Sequence, residues 1–169
     1  MIDFLKRLSP QIIALLVLLG ALATILGALW FQHYGGYAPC ALCLQQRYAY
    51  YIGIPLAALA LVFFWMGKPG PGTILLAICG IGFFLNAGLG AYHSGVEWKW
   101  WPGPDVCAGG ELGTIGGNLL ESLQNAKAVS CNDAPWRFLG LSFAGWNVLI
   151  SLDLAIGAWL GVRNARASA

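Results

Sequence analysis

Four cysteines fall into two pairs whose spacing permits electron exchange. Cys40 and Cys43 form a Cys-x-x-Cys motif, and Cys107 and Cys131 follow later in the chain. The short spacing allows a small, strained disulfide ring, and a helix that starts near such a motif stabilises a thiolate at its N-terminus. The same four cysteines could instead bind a structural zinc ion, so the motif alone indicates either redox chemistry or metal binding. A c-type haem is disfavoured, because Leu44 rather than histidine follows Cys43.

The composition indicates a membrane protein. Of the 169 residues, 59% are hydrophobic and 9% are charged, which is much less charge than an ordinary globular domain carries. Helices of about 20 apolar residues cross a hydrocarbon core that is roughly 30 Å thick. Four runs are long enough, at about residues 12–31, 48–66, 74–92 and 139–162. We therefore expect a single domain over residues 1–169, an all-α membrane protein built as a four-transmembrane-helix bundle.

The basic residues predict the orientation of these spans. Four spans leave both termini on one side, and that side carries most of the short-segment cations: Lys6, Arg7, Lys68, Arg163 and Arg166. The positive-inside rule makes it cytoplasmic. The loops at about residues 32–44 and 93–138 then lie outside, and the longer one holds five of the seven acidic residues. All four paired cysteines are thus expected in the periplasm, where disulfides persist.

Two other interpretations of the composition are set aside. A net charge of +2 with scattered Lys and Arg residues gives no basic stripe for nucleic acid. The first apolar run could be a signal peptide cleaved near Ala21-Leu22-Ala23. Cleavage there would leave the apolar residues 24–31 without a use, so we expect a retained helix.

The long loop admits more than one interpretation. Cys107 and Cys131 could form a structural disulfide that pins the loop, but a second pair that faces a membrane-proximal Cys-x-x-Cys favours an electron relay. Residues 116–128 place Leu119 and Leu123 on one side at helical spacing. They predict a short amphipathic helix, lying on the bilayer or packed on the other helices.

Three polar or reactive residues lie inside the spans. Cys79 is expected to be a small buried hydrophobic residue without a chemical role. Asp153, near the middle of the fourth span, is expected to serve helix packing rather than catalysis, because the other cysteines lie at the outer surface. Asn86, between Gly82 and Gly90 on one helix face, predicts a close helix contact joined by an amide.

In combination, these features resemble the disulfide bond formation protein B (DsbB) family of bacterial inner membranes. The resemblance covers most of the chain. It depends on the four spans, the segment from Pro39 to Cys43 with Arg47 four residues on, Tyr92 and His93 at the end of the third span, Cys107 and Cys131, and the run Trp136, Phe138, Leu139, Gly140 and Leu141. The partner preference stays open, because Gln46 and the residues between the loop cysteines depart from the pattern.

The resemblance implies a route for electrons. Cys107 would form the mixed disulfide with a periplasmic thioredoxin-fold dithiol oxidase (DsbA-like), and Cys131 would transfer the bond to Cys40. Cys43 would be the thiolate at a membrane quinone, either ubiquinone or menaquinone.

Two further residues are implicated in the quinone site. Arg47 looks like the quinone-site arginine of the family, and a cation one helical turn from Cys43 would stabilise a thiolate and a partly reduced quinone oxygen. Its alternative role is a snorkelling or lipid-phosphate-binding arginine. His93 is the second quinone-site candidate. A metal-binding membrane protein and a scaffold with a structural disulfide are the competing functions.

Overall fold

The structure is a computed structural model that describes residues 8–104 and 131–167. Four long helices and one short hairpin make up the described part of the chain. In chain order these are α1 (Pro10–His33), α2 (Ala41–Trp65), α3 (Pro69–Glu97), β1 (Arg137–Phe138), β2 (Leu141–Ser142) and α4 (Phe143–Ala167). Each of the four helices is long and apolar enough to cross a membrane. The expected four-helix membrane bundle is therefore confirmed.

The helices extend beyond the apolar runs that predicted them. α2 begins at Ala41 rather than near residue 48, because the polar residues Gln45, Gln46 and Arg47 continue the helix at its end instead of interrupting it. α4 begins at Phe143, after residues 137–142 have formed a hairpin. The Cys-x-x-Cys motif thus becomes part of a helix start.

The two-residue turn of the hairpin explains why the fourth apolar run does not begin as a helix. Leu139 and Gly140 both have positive φ, 51° and 82°. Positive φ at both central positions suits the right-handed twist of a tight antiparallel hairpin. The turn brings Phe138 opposite Leu141 and places the hairpin at the same end of the bundle as the Cys-x-x-Cys motif.

The helices pack in a ring in which each contacts its sequence neighbour and α4 returns to α1. Small residues allow the close approaches. A Cβ at Gly80 of α3 would lie 3.0 Å from the Ala158 Cβ of α4, and one at Gly90 would lie 3.0 Å from Val148 Cγ2 and 3.3 Å from the Ala144 carbonyl oxygen. In lipid, such close backbone packing is a principal source of helix association.

A polar cluster joins three helices inside this apolar core. Asn86 Nδ2 of α3 donates to Ser151 Oγ at 3.0 Å and to Asn147 Oδ1 at 3.3 Å, both on α4. Tyr50 of α2 donates from its hydroxyl to Asn147 Oδ1 at 2.6 Å. The predicted amide contact at Asn86 is confirmed. Gly90 lies at that contact, whereas no heavy atom lies within 4 Å of a Cβ placed at Gly82.

The other single-residue expectations have different outcomes. Cys79 is buried, as predicted, with its thiol 3.5 Å from the Gly53 carbonyl oxygen. The packing role expected for Asp153 is wrong, because its side chain is exposed on the outer face of α4. The helical register turns Ser151 and Leu154 inward and leaves Asp153 facing out with Ile156. Cys107 and the amphipathic segment 116–128 lie outside the described residues.

Candidate redox site at the cysteine end of the bundle

Cys40 and Cys43 meet at the first turn of α2. Cys40 is the N-cap residue, and its sulfur accepts a hydrogen bond from the Cys43 backbone N–H at 3.2 Å. The two Sγ atoms lie 2.6 Å apart and both thiols are free. Cys40 is buried, while Cys43 is half-buried. The helix start therefore holds two thiols within reach of disulfide formation without any rearrangement of α2. We call this end of the bundle the cysteine end.

The surroundings of Cys40 favour its ionised form. The hydrogen bond from Cys43 contributes most, and a hydrogen bond from His93 acts in the same direction. Burial opposes these effects, but the pKa of the Cys40 thiol is still lowered from 9.0 to about 4. Because the thiolate is the nucleophile in disulfide exchange, Cys40 is ready to react at neutral pH.

Cys131 lies at the same end of the bundle as this pair. It is disulfide-bonded and 1% exposed, and it belongs to a buried apolar cluster with Cys40, Leu42 and Val96. Cys107, the other loop cysteine of the sequence prediction, is not among the described residues. The structure thus places one cysteine of the second pair in the same buried cluster as Cys40, which sequence spacing could not show.

His93 lies on the last turns of α3 and faces the cysteine pair. Its side chain is buried, and Nε2 lies 3.6 Å from Cys40 Sγ. Nδ1 lies 2.8 Å from Gln46 Nε2. One turn further along α3, Glu97 Oε1 is 3.9 Å from His93 Nε2. Sequence reasoning missed Glu97, although its position four residues after His93 was an available signal.

An apolar cavity of about 450 Å³ opens beside Cys43. Cys43, Arg47 and His93 lie on its wall, so the structure brings together the three residues that the sequence associated with an electron acceptor. Arg47 Nη1 donates to Gln32 Oε1 of α1 at 2.5 Å, which fixes the guanidinium beside the cavity. Mostly apolar walls with a few polar groups are typical of sites for small organic ligands.

Aromatic rings also line the cavity. Trp136 and Phe143 stack with centroids 4.8 Å apart, and Phe31 meets Phe143 edge-on at 5.2 Å. Along α1 the cavity reaches from Phe31 to Ala23, a length of about 12 Å at the helical rise. The space therefore suits a flat ring near Arg47 with an apolar tail directed toward the membrane interior.

The donor set also allows a test of the metal-binding alternative. Ligand atoms of Cys40, Cys43 and His93 lie within 4.8 Å of one another. In a tetrahedral zinc site with Zn–S bonds of about 2.3 Å, two thiolates would lie about 3.8 Å apart. The separation of 2.6 Å between the sulfur atoms is too short for that arrangement and favours redox chemistry.

A four-helix membrane bundle with a paired-thiol centre at one end has the architecture of a membrane-embedded thiol oxidoreductase. Comparison with known families agrees. The family model described as disulfide bond formation protein DsbB matches residues 10–161. The chain belongs to this family, and with its four spans it is a multi-pass protein of the bacterial inner membrane.

Individual relatives are similar along nearly their whole length. Disulfide bond formation protein B of a Polaromonas species is 30% identical, with 93% of this chain and 94% of the relative covered. The protein of the same name from Saccharophagus degradans is 33% identical over 90% of this chain and 93% of its own. The one from Verminephrobacter eiseniae is 30% identical, with coverages of 94% and 91%. No solved structure matches the chain.

Proposed function

We propose that the protein reoxidises a periplasmic thioredoxin-fold dithiol oxidase (DsbA-like) and passes the electrons through two cysteine pairs to a membrane quinone. The observation that supports this proposal is the position of Cys40, which contacts Cys43 and belongs to the same buried cluster as Cys131. Exchange between two cysteine pairs in series requires that a cysteine of one pair lie near a cysteine of the other.

The exchange steps balance without any other oxidant. A partner thiolate attacks Cys107 of the Cys107–Cys131 disulfide, so a mixed disulfide forms and Cys131 leaves as a thiolate. The second partner thiol resolves the mixed disulfide, and the partner is released oxidised. Cys131 attacks Cys40 of the Cys40–Cys43 disulfide, and Cys43 leaves as a thiolate facing the cavity. Cys107 then attacks Cys131, which restores the loop disulfide and leaves Cys40 reduced.

The cavity beside Cys43 fits a quinone. Its aromatic wall suits a planar ring, and Arg47 and His93 are the residues that would hold the ring oxygens. When bound, a quinone accepts two electrons and two protons and leaves as the hydroquinone. Arg47 remains charged and can donate two coplanar hydrogen bonds, so it stabilises negative charge on a ring oxygen and on the Cys43 sulfur.

The proposed orientation puts the cysteine end and its loops in the periplasm and both termini in the cytoplasm. It depends on the short-segment cations at the other end, such as Lys68 and Arg163. A reporter fused after Ala169 is expected to be cytoplasmic, and one inserted near Gly113 periplasmic. An impermeant reagent that labelled the Ala169 reporter in intact cells would contradict the orientation.

The function is tested with purified full-length protein, a reduced thioredoxin-fold partner and a soluble quinone. Partner oxidation and loss of quinone absorbance are expected together. Cys43→Ser should abolish both in steady state, whereas Cys79→Ser, which removes a thiol buried elsewhere in the bundle, should leave both unchanged. Stoichiometric zinc in the purified protein, with no partner oxidation, would instead support metal binding.

A further inference from the structure

A line of buried and half-buried polar side chains runs from Cys40 into the bundle interior. His93 Nε2 is 3.6 Å from Cys40 Sγ, and His93 Nδ1 is 2.8 Å from Gln46 Nε2. The other end of the Gln46 amide, Oε1, lies 2.7 Å from Asn147 Nδ2 of α4. Gln46 and Asn147 have no part in the proposed exchange steps. Because each bond has one donor and one acceptor, the protonation state of His93 depends on the orientation of the two amides.

The distances around Asn147 set that orientation. Tyr50 Oη lies 2.6 Å from Asn147 Oδ1, which is short for an N–H···O bond and usual for an O–H···O bond. The same oxygen also accepts from Asn86 Nδ2 at 3.3 Å and from Ser151 Oγ at 3.3 Å. The oxygen of Asn147 therefore faces these donors, and its NH₂ group faces Gln46.

The orientation of the Asn147 amide determines that of the Gln46 amide, and the Gln46 amide in turn determines which nitrogen of His93 carries the proton. The Gln46 oxygen accepts from Asn147, so its NH₂ group points at His93 Nδ1, which must then be the unprotonated acceptor. We infer that Gln46 and Asn147 are positioning residues that hold neutral His93 with its proton on Nε2, so that it donates to the Cys40 sulfur and cannot accept the Cys40 thiol proton.

The proton on His93 Nε2 affects the thiolate and the thiol of Cys40 differently. The Cys40 thiolate accepts a hydrogen bond from Nε2, whereas the Cys40 thiol has no acceptor at that nitrogen. The arrangement therefore favours the thiolate. Under the proposed function this matters when Cys107 attacks Cys131. The Cys107–Cys131 bond forms, the Cys131–Cys40 bond breaks, and the electron pair stays on Cys40 next to the Nε2 proton.

Other charged and polar groups near the site are left unchanged in the tests below. α2 contributes Cys43 and Arg47, α3 contributes Glu97, and the segment at β1 contributes Asp133 and Arg137, while α1 and α4 present the neutral Gln32 and Asn147. Because these groups are the same in the Gln46 variants and the unmodified protein, a shift in the Cys40 alkylation midpoint can be assigned to the Gln46 amide.

The first test reads the tautomer directly in the unmodified protein. Full-length protein labelled with ¹⁵N-histidine, reduced and in detergent micelles at neutral pH, gives separate signals for Nδ1 and Nε2. The other histidine, His33, is assigned with a His33→Gln variant. An unprotonated Nδ1 and a protonated Nε2 are expected for His93. A proton on Nδ1 would mean that the amides run in the opposite direction and would overturn the inference.

The second test uses two neighbouring glutamines. Gln46→Leu removes the donor to Nδ1, whereas Gln45→Leu makes the same change at an exposed position. In Gln46→Leu the His93 signals should shift toward a tautomer mixture. The pH midpoint of Cys40 alkylation, assigned to Cys40 by peptide mass, should rise by about one pH unit. Such a rise means about tenfold less thiolate at a pH below the midpoint. Gln45→Leu should leave both unchanged.

Unchanged tautomer and alkylation profiles in Gln46→Leu would reduce Gln46 to a packing residue. Gln46→Met provides a second variant of similar length if the leucine variant does not fold. The inference depends on the proposed function only for its catalytic consequence. Neither readout needs partner or quinone, so its failure is distinguishable from failure of the proposed electron route.

Discussion

Cys40 Sγ lies 3.6 Å from His93 Nε2, across the interface between α2 and α3, although the two residues are 53 positions apart in the sequence. The contact exists because α2 begins at the end of the bundle where α3 terminates. It joins a helix N-cap to the last turns of the neighbouring helix, and it makes Cys40 the sulfur whose reactivity the bundle controls most directly.

The lowered pKa of Cys40 predicts its reactivity toward alkylating reagents. The thiolate is the reactive form, and a pKa of about 4 in place of 9.0 keeps Cys40 ionised at every pH above about 5. Reduced protein should therefore show a Cys40 alkylation rate that is nearly constant from about pH 5.5 to 8 and falls as the pH drops through about 4. A rate that instead rose through pH 8 to 9 would indicate an ordinary thiol.

Arg47 is expected to act on the quinone and not on the partner. Loss of a charge-assisted hydrogen bond to a developing oxyanion costs a few kcal/mol, or on the order of a hundredfold in rate. Arg47→Ala should lower quinone reduction by that order, and Arg47→Lys should recover part of it. Both should still oxidise partner in a single turnover. Unchanged quinone kinetics in Arg47→Ala would make the arginine a membrane anchor, and equal loss of both activities would make it structural.

Cys107→Ser is expected to separate the two cysteine pairs. Without Cys107 the partner cannot form its mixed disulfide, so partner oxidation should stop. Cys40 and Cys43 should remain oxidisable by added quinone, because their contacts lie within the bundle. Thiol counting by mass before and after quinone addition measures this. Partner oxidation at the normal rate in Cys107→Ser would show that the order of the pairs is wrong.

Two glycines of α3 test the packing that positions the site. Gly90 faces α4, and any side chain would press on Val148 and on the Ala144 carbonyl oxygen, whereas Gly82 has open space. Gly90→Leu should destabilise the bundle by about 1–3 kcal/mol, while Gly82→Leu should change stability by about 0.5 kcal/mol or less. Thermal unfolding in detergent, followed by circular dichroism, compares them. Equal stability of the two variants would contradict the observed α3–α4 approach.

Sequence alone predicted the parts of the fold that are local. Apolar runs located the four spans, and the spacing of Cys40 and Cys43 identified one thiol pair, because both signals are complete within a short stretch. The cluster that holds both Cys131 and Cys40 joins distant segments, so it could be found only once the helices were packed. Gln46 and Asn147 were missed for the same reason, whereas Glu97 was missed although it lies four residues after His93.

Polar residues near or within a span were ambiguous because composition does not show which face a helix turns inward. Asn86 was correctly placed in a helix contact, and Gly90, one turn further along α3, lies on the same contacting face. Asp153 had no such neighbours, and its expected packing role was wrong. α2 starts earlier than its apolar run because polar residues can continue a helix. α4 starts later than its apolar run because the positive-φ turn at Leu139 and Gly140 precedes it.

The central claim is that two disulfides act in series, and it is tested by counting oxidising equivalents without quinone. Fully oxidised protein is mixed with excess reduced thioredoxin-fold partner under anaerobic conditions, and partner disulfides are counted per chain. Two per chain are expected for the unmodified protein, because both pairs can be emptied through Cys107. One is expected for the Cys40→Ser, Cys43→Ser double variant. A single equivalent from the unmodified protein would show that the pairs do not exchange, and the proposed electron route would be contradicted.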